Sequence, residues 1–222
     1  LVRVTHPLLD AFTVSATQLF WPLALTPESW STVFIIDPVY TLPLLLGVLF
    51  AIAVGMTRNA RRFMVGALVF STLYLGFGLA GRMAAEHRVR DAMQEQGVAV
   101  TQLRAVPMPF NTLVWRVFAK TGDGDYYESV SSLFDRDPPE WVRLPLNLDA
   151  GRVLAGEPLH ERLRWFTDDW LRYDVIGDAL VVSDLRMGMA GHYTFRFKMA
   201  ERATDGTWRA VTPSVWPTSR GG

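Results

Sequence analysis

The chain has 222 residues, half of them apolar, with 22 lysines and arginines balanced by 22 aspartates and glutamates. A formal net charge of zero gives no overall field to gather a polyanion, which sets nucleic acid aside as a partner. With no cysteine, disulfides, thiolate metal sites and a cysteine nucleophile are excluded, so any metal must be held by His, Asp or Glu.

The chain begins at Leu1, and its first ten residues include His6, Pro7 and Asp10. That is unlike the basic and then apolar start of a signal peptide, and it reads as a fragment missing upstream sequence. Within Thr5-His6-Pro7-Leu8-Leu9-Asp10 the imidazole and the carboxylate are four residues apart. On a helix they share one face, and Pro7 suits the first turn. Two readings stand: a pair of metal ligands, or Asp10 fixing the His6 tautomer in a polar network. Two ligands complete no coordination sphere.

Ala11 to Pro27 is uncharged but interrupted by Thr13, Ser15, Thr17, Gln18, Pro22 and Pro27, and it carries Trp21 with Trp30 close by. Tryptophan favours the headgroup level, so residues Val4 to about Phe20 are predicted to form an interfacial helix, with a third, poorer span as the alternative. Residues 1–36 thus form an interfacial segment carrying the His6 and Asp10 pair.

Between Asp37 and Arg58 lie 20 residues without a charge, and between Arg62 and Arg82 another 19. Each run is apolar on every face and long enough for a hydrocarbon core of roughly 30 Å. Residues 37–97 are therefore predicted to be a two-span hairpin whose second helix extends beyond the membrane as far as Gln96. Gly47, Gly66, Gly76 and Gly78 suit close helix packing in lipid. Arg58, Arg61 and Arg62 separate the runs without an acid, which places this turn in the cytoplasm, although Arg82, Arg88 and Arg90 weigh the other way. That orientation puts the C-terminal domain on the periplasmic or external side. At the lip of the first run, Asp37 before Pro38 reads as an N-cap, and also as a carboxylate that membrane burial makes costly unless it is paired or functional.

From Val98 onward the apolar period moves towards two, and residues 98–222 are predicted to fold as an α+β domain. Strands are expected near 98–102, 113–117, 126–134, 179–184, 192–199 and 208–211, with a helix from His160 to Tyr173. The whole is a membrane α-helical hairpin preceded by an interfacial helix and followed by a soluble α+β domain. Other chemistry-like patterns have plainer explanations. Gly76 to Gly81 matches G-x-G-x-x-G but lies inside an apolar run rather than between a strand and a helix. The acid pairs Asp123/Asp125, Asp135/Asp137 and Asp168/Asp169 fit a glycine turn, a loop and a helix end. His87 and Asp91 lie among charged neighbours, as ion pairing would require, and His160 and His192 have no ligand-like spacing.

Thr5 to Thr13, Leu19-Phe20-Trp21-Pro22, and Ile35-Ile36-Asp37-Pro38-Val39-Tyr40-Thr41-Leu42-Pro43 together resemble the YdjM-like family of inner-membrane metal-dependent hydrolases. Pro107-Met108-Pro109-Phe110-Asn111 and Trp115-Arg116 resemble its longer members. The resemblance implies a bacterial inner-membrane location and metal-assisted hydrolysis. It carries His6 and Asp10 over as the H-x-x-x-D pair and Asp37 as the polar residue of the second motif. The family also has an upstream histidine-containing segment, so either the remaining ligands precede Leu1 or the chain has lost the site. Its label mentions binding to the LexA repressor, for which these residues give no support.

The reading from sequence is a divalent metal, zinc suiting a His/Asp site, held by His6 and Asp10. Asp37 would orient a ligand or act as base, on a lipid-linked ester or phosphoester. The alternative is a membrane-anchored binding module of the cell envelope, with no chemistry of its own.

Overall fold

The structure is a computed structural model that describes residues 37–217. The predicted interfacial helix and the His6 and Asp10 pair lie outside the described residues. Two compact units divide the chain: the first runs up to Phe118 and takes in Ser129–Glu140, and the second combines Ala119–Glu128 with the residues from Trp141 on.

The first unit opens with two apolar helices, α1 (Pro38–Val54) and α2 (Arg58–Glu95). Asp37 caps α1, Pro38 occupies its first turn, and Pro43 is accommodated inside it. Gly55, at φ 71, ends α1, and the Thr57 side chain starts α2 by accepting from the Ala60 amide at 3.3 Å. The connection is therefore Gly55 to Thr57, and Arg58 to Arg62 already form the first turn of α2 rather than a loop. Contacts run antiparallel down the pair. The Ser71 hydroxyl donates to the Tyr40 carbonyl at 3.0 Å, Met64 and Ala67 lie against Gly47, and the Phe50 and Phe63 rings are 5.6 Å apart.

Among the described residues one helix, α2, is long and apolar enough to cross a membrane. Helix α1 has 17 residues, about 25 Å of helix, short of a hydrocarbon core of roughly 30 Å. The expectation of two spans thus meets one helix of spanning length and one shorter apolar partner. Their outward side chains are exposed: Ile52 is 74 % accessible and Leu73 69 %. A core helix of a soluble protein buries such residues; these two present them to their surroundings.

Beyond Gly81 the character of α2 changes. Ala85, Val89 and Met93, four residues apart, are buried along one stripe, while His87, Arg90 and Asp91 are exposed. His87 and Asp91 are therefore surface residues. Within this extension Arg82 pairs with Glu86 at 2.8 Å, and the same Glu86 oxygen accepts from the Ala105 amide at 3.0 Å.

The sheet-rich part begins with β1 (Val100–Pro107), β2 (Val114–Thr121), β3 (Asp125–Ser132) and β4 (Trp141–Pro145), neighbours in that order in a four-stranded sheet. In the second unit, short helices at α3 (Leu148–Gly151) and α4 (Pro158–Thr167) precede β5 (Leu171–Ile176), β6 (Ala179–Asp184), the small β7 (Gly188–Met189) and β8 (His192–Tyr193) ribbon, β9 (Arg196–Arg202) and β10 (Trp208–Val215). These form a second antiparallel sheet in the order β10-β9-β6-β5. Strand β6 is interior and buried along its whole length, as its unbroken Ala179-Leu180-Val181-Val182 run requires. Gly177, at φ 59, supplies the left-handed position for the two-residue connection between β5 and β6. The core of this unit gathers Leu154, Leu171, Tyr173, Leu180, Val182 and Met199.

The predicted helix from His160 to Tyr173 is corrected here, since α4 ends at Thr167 and a strand starts at Leu171. The predicted 192–199 strand divides into β8 and β9, and β4 had no counterpart in the sequence reading.

Candidate functional site at the start of the first helix

Asp37 is 2 % exposed, and both oxygens of its carboxylate are engaged. Oδ1 accepts from the Val39 and Tyr40 amides at 2.9 and 3.3 Å, the N-cap that Asp before Pro predicts. Oδ2 accepts from the Tyr74 hydroxyl at 2.9 Å, and that hydroxyl accepts in turn from the Thr112 hydroxyl at 3.0 Å. Thr112 is itself 2 % exposed, and its carbonyl receives the Trp115 indole N–H at 3.0 Å. A buried carboxylate, a tyrosine from the middle of the α2 apolar run and a threonine before β2 thus form one chain of hydrogen bonds.

Among the described residues Asp37 makes no ion pair, and the donors that reach its carboxylate there are neutral. Such a carboxylate is fixed in direction and keeps lone-pair capacity on each oxygen. It is equipped to orient a histidine N–H or to accept a proton. Among the described residues no three His, Asp or Glu side chains are grouped closely enough to share a metal ion.

Tyr74 and Thr112 were not singled out from the sequence. The available signal was a hydroxyl-bearing aromatic inside an otherwise hydrocarbon run, where an unpaired polar tip is costly.

The Asp123/Asp125 and Asp168/Asp169 pairs lie at the glycine turn and the helix end expected of them. Thr121 hydrogen-bonds Asp123 and holds its carboxyl below the ordinary range, while Asp125 pairs with Arg143. Asp168 and Asp169 sit at the end of α4, at φ 53 and 56, with Arg164 Nε on Asp169 at 2.6 Å. The segment Gly76 to Gly81 is interior helix.

Among the described residues His160 is the buried histidine, 3 % exposed. Its Nδ1 faces the Leu154 carbonyl at 3.0 Å and its Nε2 the Tyr173 hydroxyl at 2.9 Å. The carbonyl can only accept, which assigns the proton to Nδ1 and leaves Nε2 to accept from Tyr173. Burial pushes His160 below its ordinary value, against the opposing pull of the Leu154 carbonyl and Glu161, and burial pushes Tyr173 up to about 12. The neutral pair is a structural lock. Because the unfolded histidine binds its proton more readily, the stability of this unit is complete above about pH 6.5 and falls as the pH drops below that value. Urea unfolding between about pH 7 and about pH 5.5 should show this decline, and His160→Gln should flatten it. An identical slope in the variant would assign the decline to other groups.

Residues 1–85 match the family model described as YdjM inner membrane protein. No curated protein and no solved structure matches the chain.

Proposed function

We propose, from the match of residues 1–85 to the YdjM inner membrane protein family model, that the chain is a membrane-bound, metal-dependent hydrolase acting on a lipid-linked ester or phosphoester. The observation that supports this reading is the buried Asp37 carboxylate, fixed by the α1 amides and Tyr74 at the start of an apolar helix. His6 and Asp10, which lie outside the described residues, would hold the divalent metal, zinc by preference for this donor pair. When bound, the metal supplies the polarisation that lowers the pKa of a water molecule. Asp37 fixes the orientation of a ligand or takes up a proton, and Tyr74 keeps its carboxylate from rotating.

In this reading both α1 and α2 lie in the bilayer with the arginine-rich start of α2 in the cytoplasm, and the sheet-rich domain faces the periplasm. Reporter fusions at Arg61 and after Gly222 should then report opposite sides. The same side for both would remove the topology.

Metal analysis of the detergent-purified protein should give close to one divalent ion per chain, lost in His6→Ala and Asp10→Ala. Unchanged, substoichiometric metal in all three would sink the hydrolase. A second reading has its own observation: the cap and Tyr74 already occupy both Asp37 oxygens, which suits a membrane-anchored binding module with a purely structural aspartate. Unchanged metal content together with intact folding would favour that module.

A further inference from the structure

The α1 and α2 pair does not start level. Asp37, just before α1, is tied to Tyr74, whereas the uncharged run of α2 continues to Gly81, seven residues or about 10 Å further along the axis. The run from Phe63 to Gly81 covers about 28 Å, close to one hydrocarbon thickness. Ending the apolar layer at Tyr74 would leave only about 18 Å. The stretch of α2 between Tyr74 and Gly81 therefore belongs to the outer part of the layer, and α1 does not reach it.

The segment between β1 and β2 lies against that stretch. Thr112 donates to Tyr74 at 3.0 Å, and a Cβ placed on Gly81 would stand 3.1 Å from the Trp115 ring and 3.4 Å from the Thr112 carbonyl. Glycine at 81 is what allows this approach. The segment is also internally fixed: Asn111 Oδ1 accepts from the Leu113 and Val114 amides at 3.1 and 2.8 Å, and the Met108 amide donates to the Val114 carbonyl at 2.9 Å. At its apex Phe110 takes φ 63, a conformation that bulky side chains rarely adopt, and the residue is 59 % exposed. Leu113 is 38 % exposed. Phe134 is 73 % exposed, in a turn joined to the segment by the Leu133 amide on the Leu113 carbonyl at 2.9 Å.

We propose that the Met108 to Leu113 loop is a membrane-seated element, with Phe110 and the neighbouring Phe134 immersed in the interfacial layer of the bilayer beside α2. The inference rests on the reading that α2 spans the membrane. Three features argue for lipid as the occupant: the loop continues directly from the apolar wall of α2, its exposed tips are aromatic or aliphatic, and it carries no charge from Pro107 to Trp115.

The chain has no cysteine, so single labels are clean. An environment-sensitive dye is placed singly in Phe110→Cys, Phe134→Cys, Leu68→Cys in the exposed middle of α2, and Thr204→Cys in the exposed β9–β10 turn. The full chain is reconstituted in phosphatidylglycerol and phosphatidylethanolamine vesicles and quenched with aqueous iodide or with lipids spin-labelled near the headgroup or near the chain end. The expected result is at least about twofold protection from iodide at 110 and 134 relative to 204, with quenching by the headgroup-proximal label, and quenching of position 68 by the deep label. Iodide access at 110 equal to that at 204, with position 68 protected, would overturn the loop proposal and leave the span intact. Protection of 110 from both iodide and lipid labels would mean that protein covers it, and would overturn the proposal equally. Iodide access at 68 would overturn the span, and the proposal with it.

Discussion

Gly151→Val is expected to cost the second unit about 3 kcal/mol or more, and Gly151→Ala about 1–3 kcal/mol. Helix propensity alone predicts the opposite for alanine. Gly151 ends α3 with φ −66 and ψ −21, an ordinary helical conformation in which alanine is favoured over glycine by about 1 kcal/mol. Packing decides the sign. A Cβ at 151 would stand 2.8 Å from Cε1 and Cζ of Tyr173 and 3.0 Å from Cε2, squarely on the ring rather than at the end of a flexible chain. Tyr173 is 5 % exposed, belongs to the Leu171, Leu180 and Val182 cluster, and donates to His160. Moving the ring therefore loosens the core and leaves a buried imidazole nitrogen without its donor. Urea unfolding of the detergent-solubilised chain, with hydrogen exchange followed over residues 146–176, should place the loss in this unit. Gly66→Ala is the control, because a Cβ there meets nothing within 4 Å and the change should be neutral or slightly stabilising. Wild-type stability in Gly151→Val would mean that the ring has room to retreat.

How much of this was legible in the sequence depends on whether the determinant was local. Uncharged runs gave α1 and α2, alternation gave β1 and β2, and the Gly122-Asp123-Gly124-Asp125 turn gave the join to β3, since each of these states its own period or breaker. The Asp37-Pro38 cap was equally local. The end of α4 was not. Arg164 to Tyr173 contains no glycine or proline, yet Asp168 and Asp169 both turn left-handed. Thr167, fully buried, directs its hydroxyl back to the Leu163 and Arg164 carbonyls at 2.8 and 3.3 Å, and Arg164 clamps Asp169. That stop is tertiary, set by where Leu171 must enter the sheet. Strand β4 was hidden for a related reason: after Pro138-Pro139 its Trp141 to Pro145 stretch is short, proline-ended and only partly buried. At the candidate site, Asp37 was readable but its partner Tyr74 was not, because 37 residues separate them and no spacing rule joins a helix cap to a side chain on the returning helix. His6 and Asp10 were readable as a spacing alone.

Asp37→Ala is expected to destabilise the helix pair by about 2–4 kcal/mol, the sum of a lost N-cap, about 1 kcal/mol, and of a Tyr74 hydroxyl left without its acceptor, about 1–3 kcal/mol. Tyr74→Phe keeps the cap but removes the hydroxyl from both Asp37 and Thr112, and the Asp37–Tyr74 contact is lost in either single variant, so the double variant should be less destabilised than the sum of the singles by about 1 kcal/mol or more, as reversible unfolding in mixed micelles would measure. Additive effects would mean that the 2.9 Å contact carries no energy. Asp37→Asn separates structure from chemistry. Asparagine caps a helix about as well as aspartate, so the Val39 and Tyr40 amides keep their acceptor and stability should stay within about 1 kcal/mol of the wild type. The negative charge and the capacity to take a proton are gone. If the proposed hydrolytic chemistry runs beside α1, hydrolysis of a fluorogenic lipid ester should fall by at least about 100-fold in Asp37→Asn while the fold persists. Full activity in a stable Asp37→Asn protein would confine this residue to capping and bracing, and any hydrolysis would then have to proceed without it.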